Sequence, residues 1–193
     1  MTEDVTVSGN GALLAMKFET REELEAALKE NRQLASADLS GLDLAGMKLT
    51  GMDLSGANLS KVNLSGGMLA GANAADADLS EINITGGVVA GTNLQAANLR
   101  GANLQGAKIV GVNLEGATLD GVSLREAQII GSNVTDTDFS QVDLADARSS
   151  GVNWVSARVP PAETPPGLVP PWLLGVVALL VAVLLFRFLK SRR

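Results

Sequence analysis

The chain has 193 residues, with 21 acidic and 15 basic side chains and a net charge of −6. It contains no His and no Cys, which removes the commonest metal ligands, the usual general base, thiol chemistry and disulfides. Residues 1–159 hold 20 acids against 11 bases, a balance that disfavours direct binding to nucleic acid.

In chain order, residues 1–18 show no early Lys or Arg, and Ala12–Met16 is too short for a signal-peptide core, so no secretory signal is read there. The stretch 5–14 (VTVSGNGALL) reads as a short hairpin around Gly9–Gly11. Thr20 to Asn31 reads as a helix. Thr20 and Glu23 form a capping box, acids fill the first turn, and Leu24, Ala27 and Leu28 make one apolar stripe.

From about residue 37 a five-residue beat takes over. Leu39, Leu44, Leu49, Leu54, Leu59, Leu64 and Leu69 stand five apart, and the register runs on to Leu144 and Trp154. Ile84, Val89, Ile109, Ile129, Val134 and Phe139 fill other beats, while Ala74 and Ser149 are the small ones. Two places before the beat the chain prefers a small residue, as at Ala57, Ala97 and Ala127; one place before, it prefers Asp or Asn. Neither a helix, with its period of 3.6, nor a flat strand, with its period of 2, fits a beat of five. A short straight segment followed by a corner does fit, and four such segments close a square coil of 20 residues. Stacked coils then share backbone hydrogen bonds as parallel strands do. The 24 beats from 39 to 154 make about six coils, or roughly 29 Å of stack at ~4.8 Å per coil.

The pattern A(D/N)LXX, seen in ANLSK at 57–61, ADLSE at 77–81 and ANLQG at 102–106, closely resembles the pentapeptide-repeat family. The resemblance covers roughly residues 37–156. It implies an all-β solenoid, a right-handed quadrilateral β-helix, here divided as an N-terminal segment 1–36 with a capping helix and a β-helix over 37–158. The Asp/Asn column is read as structural, bonding local backbone groups at tight corners. Solenoid ends expose unpaired edges, so the helix at 20–31 is predicted to cover the first coil.

Beyond the repeats, residues 159–171 (VPPAETPPGLVPP) hold all six prolines and are predicted to be an extended, uncovered linker. Residues 172–189 are apolar on every side, and 18 residues at 1.5 Å each give about 27 Å, close to the hydrocarbon thickness of a bilayer. This run is read as a single transmembrane helix. Trp172 stands at one interface, and Arg187 with Lys190, Arg192 and Arg193 of the basic tail 190–193 stands at the other. The positive-inside rule would put the solenoid outside, whereas a span that emerges last from the ribosome favours a tail anchor with the solenoid in the cytoplasm. The expected location is the bacterial inner membrane, the bacterial source being implied by the family; the exoplasmic orientation stays open.

Sorting the beats by 20 separates four faces, named here by their first beat. The Leu39, Leu44 and Leu54 faces mostly keep Asp or Asn before the beat. The Leu49 face does not. Before its beats stand Lys48, Met68, Val88, Lys108, Gln128 and Arg148; after them stand Thr50, Ala70, Ala90, Val110, Ile130 and Ser150. Met68, Ala70, Val88, Ala90, Val110 and Ile130 are therefore predicted to form an exposed apolar stripe, punctuated by Lys48, Lys108 and Arg148 and by no acid. A contiguous apolar patch of this kind marks a contact surface. The expected function is a non-enzymatic, membrane-anchored scaffold or protein-interaction module, binding a protein partner or itself through this face. No catalytic, metal or cofactor residue is assigned, and no cofactor is expected. Two alternatives stand beside it: an exported surface protein retained by its C-terminal tail, and, as the resemblance implies for some family members, a DNA-mimicking regulator of a topoisomerase.

Overall fold

The computed structural model describes residues 16–30 and 34–167. The beat side chains are the core. Leu39, Leu44, Leu49, Leu54, Leu59, Leu64 and Leu69 are all fully buried, and the small residues before them, such as Ala57 and Ala97, are buried too. Small side chains there let each wall approach the central leucines, so every segment packs inward at two positions and must then turn. The residue two places after the beat takes the turn with a left-handed backbone, as at Lys61 (φ 59°) and Gly121 (φ 69°). Corners close with a bond from the third residue on, for example Ala57 N–H to the Leu54 carbonyl at 3.0 Å.

The result is a right-handed, all-β solenoid with parallel pairing between residues 20 apart. Five short strands form one parallel sheet in sequence order: β1 (Met68–Ala70), β2 (Val88–Ala90), β3 (Lys108–Val110), β4 (Gln128–Ile130) and β5 (Arg148–Ser150). At 20 residues per step this sheet spans four complete turns. The remaining rungs counted from the beats are held by single bridges, such as Asp38↔Asn58 and Asp43↔Asn63, rather than by strands. Within the core of the C-terminal half, Ile109, Leu114, Leu119 and Leu124 surround a dry space of about 20 Å³, no more than one water's worth.

The N-terminal helix α1 runs Arg21–Glu30. Its capping box is formed: Glu23 N–H donates to Thr20 Oγ1 at 3.2 Å, and Thr20 N–H donates to Glu23 Oε2 at 3.4 Å. Leu24 is fully buried in the solenoid's core cluster, with Ala27 and Leu28 packed against it. The Arg21 guanidinium reaches the Ala45 carbonyl at 3.1 Å. Residues 16–18 add a short rung, Asp38 N–H donating to the Met16 carbonyl at 2.7 Å and Phe18 N–H to the Asp38 carbonyl at 2.9 Å. The hairpin predicted at 5–14 lies outside the described residues.

The C-terminal end corrects one expectation. Residues 159–167 are mostly exposed, as an uncovered linker would be, but they are tied to the last rung and do not run free of it. Val159 pairs with Asp138, and Gly167 pairs with Ser149. Ser149 N–H donates to the Pro166 carbonyl at 2.9 Å, and its hydroxyl donates to the Pro165 carbonyl at 3.0 Å. Proline lacks an N–H but keeps its carbonyl, so a Pro-rich segment can still accept from the last rung. Trp154, in a single turn of 3-10 helix (Trp154–Ser156), closes the core from that end, edge-on to Phe139 with ring centroids 5.1 Å apart. Residues 168–171 of the predicted linker lie outside the described residues, as do the predicted transmembrane run 172–189 and Trp172, Arg187, Lys190, Arg192 and Arg193. Among the described residues no helix is long and apolar enough to cross a membrane.

Candidate interaction face

Three of the four walls occupy their outward polar side chains with one another. On the Leu54 face the side-chain amides of Asn73, Asn93, Asn113 and Asn133 donate down an unbroken ladder to Asp53, Asn73, Asn93 and Asn113 at 2.9–3.3 Å. On the Leu44 face Asn63 donates to Asp43 at 2.8 Å and Asn83 to Asn63 at 3.2 Å. On the Leu39 face Asn98 donates to Asp78 at 2.9 Å. The same acceptor oxygens also take the backbone N–H two residues on, as from Ser80 to Asp78 at 2.9 Å. The Asp/Asn column thus does two structural jobs, holding each corner and tying each coil to the next. Asp53 is held below the usual carboxylate range by the Ser55 hydroxyl, then by the Ser55 backbone N–H, with the Asn73 amide adding to both.

The Leu49 face is the sheet β1–β5, and it is built differently. Its beats Leu69, Val89, Ile109, Ile129 and Ser149 point inward and are buried. Its flanking residues stack in two outward columns: Met68, Val88, Lys108, Gln128 and Arg148 in one, Ala70, Ala90, Val110, Ile130 and Ser150 in the other. The structure therefore brings Met68, Ala70, Val88, Ala90, Lys108, Val110 and Ile130 onto one wall. Val110, 39% exposed, is the most open of the apolar ones; Met68, Ala70, Val88, Ala90 and Ile130 are half-buried, because rungs this close shade one another. Lys48, Lys108 and Arg148 are exposed, and among the described residues none of them has a carboxylate within ion-pair distance. At two of the corners that follow, a hydroxyl bonds the wall, Thr92 Oγ1 donating to the Ala90 carbonyl at 3.3 Å and Ser132 Oγ to the Ile130 carbonyl at 3.2 Å. Among the described residues no group of carboxylates is placed to hold a metal ion.

Such a wall, regular, parallel and without a convergent polar cluster, defines a repeat protein that offers surfaces. The chain belongs to the pentapeptide-repeat family: the family pattern described as pentapeptide repeats (8 copies) matches residues 37–73, 77–116 and 107–146, more than half of the chain. No curated protein matches it. Among solved structures it is similar to QnrB1, a plasmid-mediated fluoroquinolone resistance protein, at 18% identity over 77% of this chain and 87% of that one, with a TM-score of 0.39. It is also similar to HetL, a pentapeptide repeat protein involved in heterocyst differentiation regulation from the cyanobacterium Nostoc sp. strain PCC 7120, at 28% identity over 68% of this chain and 67% of that one, TM-score 0.28. A third is Rfr23 from the cyanobacterium Cyanothece 51142, at 25% identity over 69% and 98%, TM-score 0.32.

One feature of the C-terminal end escapes the sequence reading altogether. Val142 and Leu144, on the last rung of the Leu44 face, occupy inward positions yet are only half-buried. Their pattern is the same as in every earlier coil, so the repeat alone carries no sign of this. The clue lies in the spacing of the prolines beyond it.

Proposed function

We propose that this chain is a non-enzymatic, membrane-anchored interaction module that docks a protein partner, or a second copy of itself, through the Leu49 face. The observation that carries this reading is the contrast between walls. Two are knitted by side-chain ladders and a third by an amide bond between coils, and together they carry all 13 acids of residues 37–158, while the fourth presents six apolar side chains among its twelve outward ones, three cations unpaired among the described residues, and no acid. A contiguous apolar patch on an otherwise polar solenoid marks a contact surface.

Area limits how tight that contact is. Six rungs at ~4.8 Å and a wall about 10 Å wide give roughly 300 Å², well under the ~800 Å² per partner of a stable soluble complex. Confinement offsets this, because a tether raises the effective concentration of a weak contact. The apolar run 172–189 supports the tether, and Gly167, the last described residue, is bridged to Ser149 on this same face. On this reading the solenoid lies on the cytoplasmic side. Carbonate-washed membranes should retain the full chain and release a version ending at residue 167; equal release of both removes the anchor.

A photo-crosslinker at position 110, with the full chain in its own membrane, tests the face. One dominant adduct is expected, and Val88→Glu with Ile130→Glu in the same protein should abolish it while the thermal melt stays cooperative. An adduct that survives both charges places the contact elsewhere.

A further inference from the structure

The last coil is three residues too short. On the rung beneath it, the chain takes 11 residues to pass from Asp138 to Ser149, by way of the Leu44 face; their partners above, Val159 and Gly167, are separated by only eight. The segment 160–166 therefore cuts the corner, and among the described residues the last rung of the Leu44 face receives no covering strand. What remains is a groove of about 570 Å³ between Phe139, Val142 and Leu144 on one side and Val159, Pro160 and Pro161 on the other.

The floor of this groove is a strand edge. In the coil below, Leu124 N–H donates to the Asp143 carbonyl at 2.8 Å, Asp143 N–H to the Val122 carbonyl at 2.9 Å, and Glu126 N–H to the Ala145 carbonyl at 2.9 Å. The equivalent groups of the last rung, Leu144 N–H, the Val142 carbonyl and Asp146 N–H, have no backbone partner among the described residues. Pro160, Pro161, Pro165 and Pro166 have no N–H for the Val142 carbonyl, and their carbonyls accept from neither Leu144 N–H nor Asp146 N–H. Asp143 is unfinished in the same way. Its Oδ1 accepts Ala145 N–H at 3.0 Å, as Asp43 Oδ1 accepts from Ala45 at 3.2 Å; at Asp43 the ladder amide of Asn63 then adds a bond of 2.8 Å. Among the described residues no amide donates to Asp143 from above; the Arg125 guanidinium takes its other oxygen at 3.3 Å.

We propose that this groove is a docking site for one extended peptide segment of a partner protein, added as a parallel strand that completes the coil. Edge addition of this kind takes its affinity from main-chain bonds and its specificity from alternate side chains. The rung geometry dictates the pattern: a small residue over Val142, Asn over Asp143 and Leu over Leu144. An acid in the middle position would face the Asp143 carboxylate and be rejected.

The test uses the full chain in detergent micelles and a fluorescein-labelled peptide, Gly-Ala-Asn-Leu-Gln-Gly, the rung at 101–106, read by anisotropy. Saturable binding is expected, weakened at least ~10-fold by Leu144→Glu in the protein and by Asn→Asp in the peptide. Asp143→Asn should restore the Asp peptide, which a merely structural Asp143 would not do. Circular dichroism melts confirm that each variant is folded. No saturable binding at millimolar peptide, or binding indifferent to Leu144→Glu and to the Asn→Asp exchange, overturns the proposal. So does sedimentation showing that Leu144→Glu dissolves a dimer, since a second copy then fills the groove.

Discussion

Gly87 offers a sharp test of how tightly these walls are packed, because the repeat's own preferred residue should be the wrong one there. Ala107, Ala127 and Ala147 occupy the same column, two places before the beat. A Cβ at Gly87 would lie 2.7 Å from Ile84 Cγ2 and 2.9 Å from the Gly67 carbonyl oxygen. Alanine shortens the list of unfolded conformations and on that count stabilises by about 0.4–1 kcal/mol. Overpacking costs about 1–3 kcal/mol, and one of the two close atoms is backbone that cannot swing aside. The second term is the larger, so Gly87→Ala should lose roughly 0.5–2 kcal/mol, read as a lower urea midpoint at unchanged slope in the full chain. Ile84→Leu takes the branched methyl away from the new Cβ, as Leu104 does beside Ala107, and should recover part of the loss in a double-mutant cycle. A Gly87→Ala protein as stable as the parent, or more so, would refute the reasoning, since the wall would then yield by a few tenths of an ångström at no cost.

Ala96 holds a left-handed corner at φ 54°, a backbone that most corners of the solenoid give to Gly, so Ala96→Gly should stabilise by about 1 kcal/mol, measured as a raised urea midpoint. Asp38, Asp53, Asp138 and Asp143 are all held below the usual carboxylate range, chiefly by the Ser40, Ser55 and Ser140 hydroxyls for the first three and by the Ala145 backbone N–H for Asp143. The folded state therefore binds fewer protons than the unfolded chain. Their contribution is fully present above the unfolded value near ~3.9 and is lost as pH falls through the lower folded values. The melting temperature should thus be level on this account from pH 7 to about 5 and fall below about 4. Asp53→Asn should flatten part of that fall. Ser149→Ala removes the bond to the Pro165 carbonyl at 3.0 Å and the acceptor of Trp154 Nε1–H at 3.4 Å; faster amide exchange confined to the last rungs is expected, and unchanged exchange there would contradict the capping role.

The coil was legible because one physical demand repeats at every beat: Leu44 and Leu104 solve the same packing problem, so periodicity alone identifies the inward column. The capping box was legible for a similar reason, since Thr20 and Glu23 satisfy each other locally and need no knowledge of the rest of the chain. The stripe followed by subtraction, because Met68, Val88 and Lys108 stand where Asn would otherwise stand. The C-terminal closure was not legible. Whether Pro165 and Pro166 accept from Ser149 depends on where a turn of unspecified length brings them, and six prolines read locally only as stiffness. The half-exposure of Val142 and Leu144 is likewise a property of what, among the described residues, does not reach over them, which no pattern within 139–145 encodes.

The strict 20-residue pairing of β1 through β5 ties the chain's hereditary phase to its surface chemistry. Insertion of a single pentapeptide between β2 and β3 would leave every beat inward and the solenoid intact, yet rotate all later residues by a quarter turn. Val110 and Ile130 would then follow the Leu54 wall while Met68 and Val88 stayed behind, and the ladder of Asn73 and Asn93 would run into lysine. Change that respects the fold comes in units of five, but change that respects this face comes only in units of twenty.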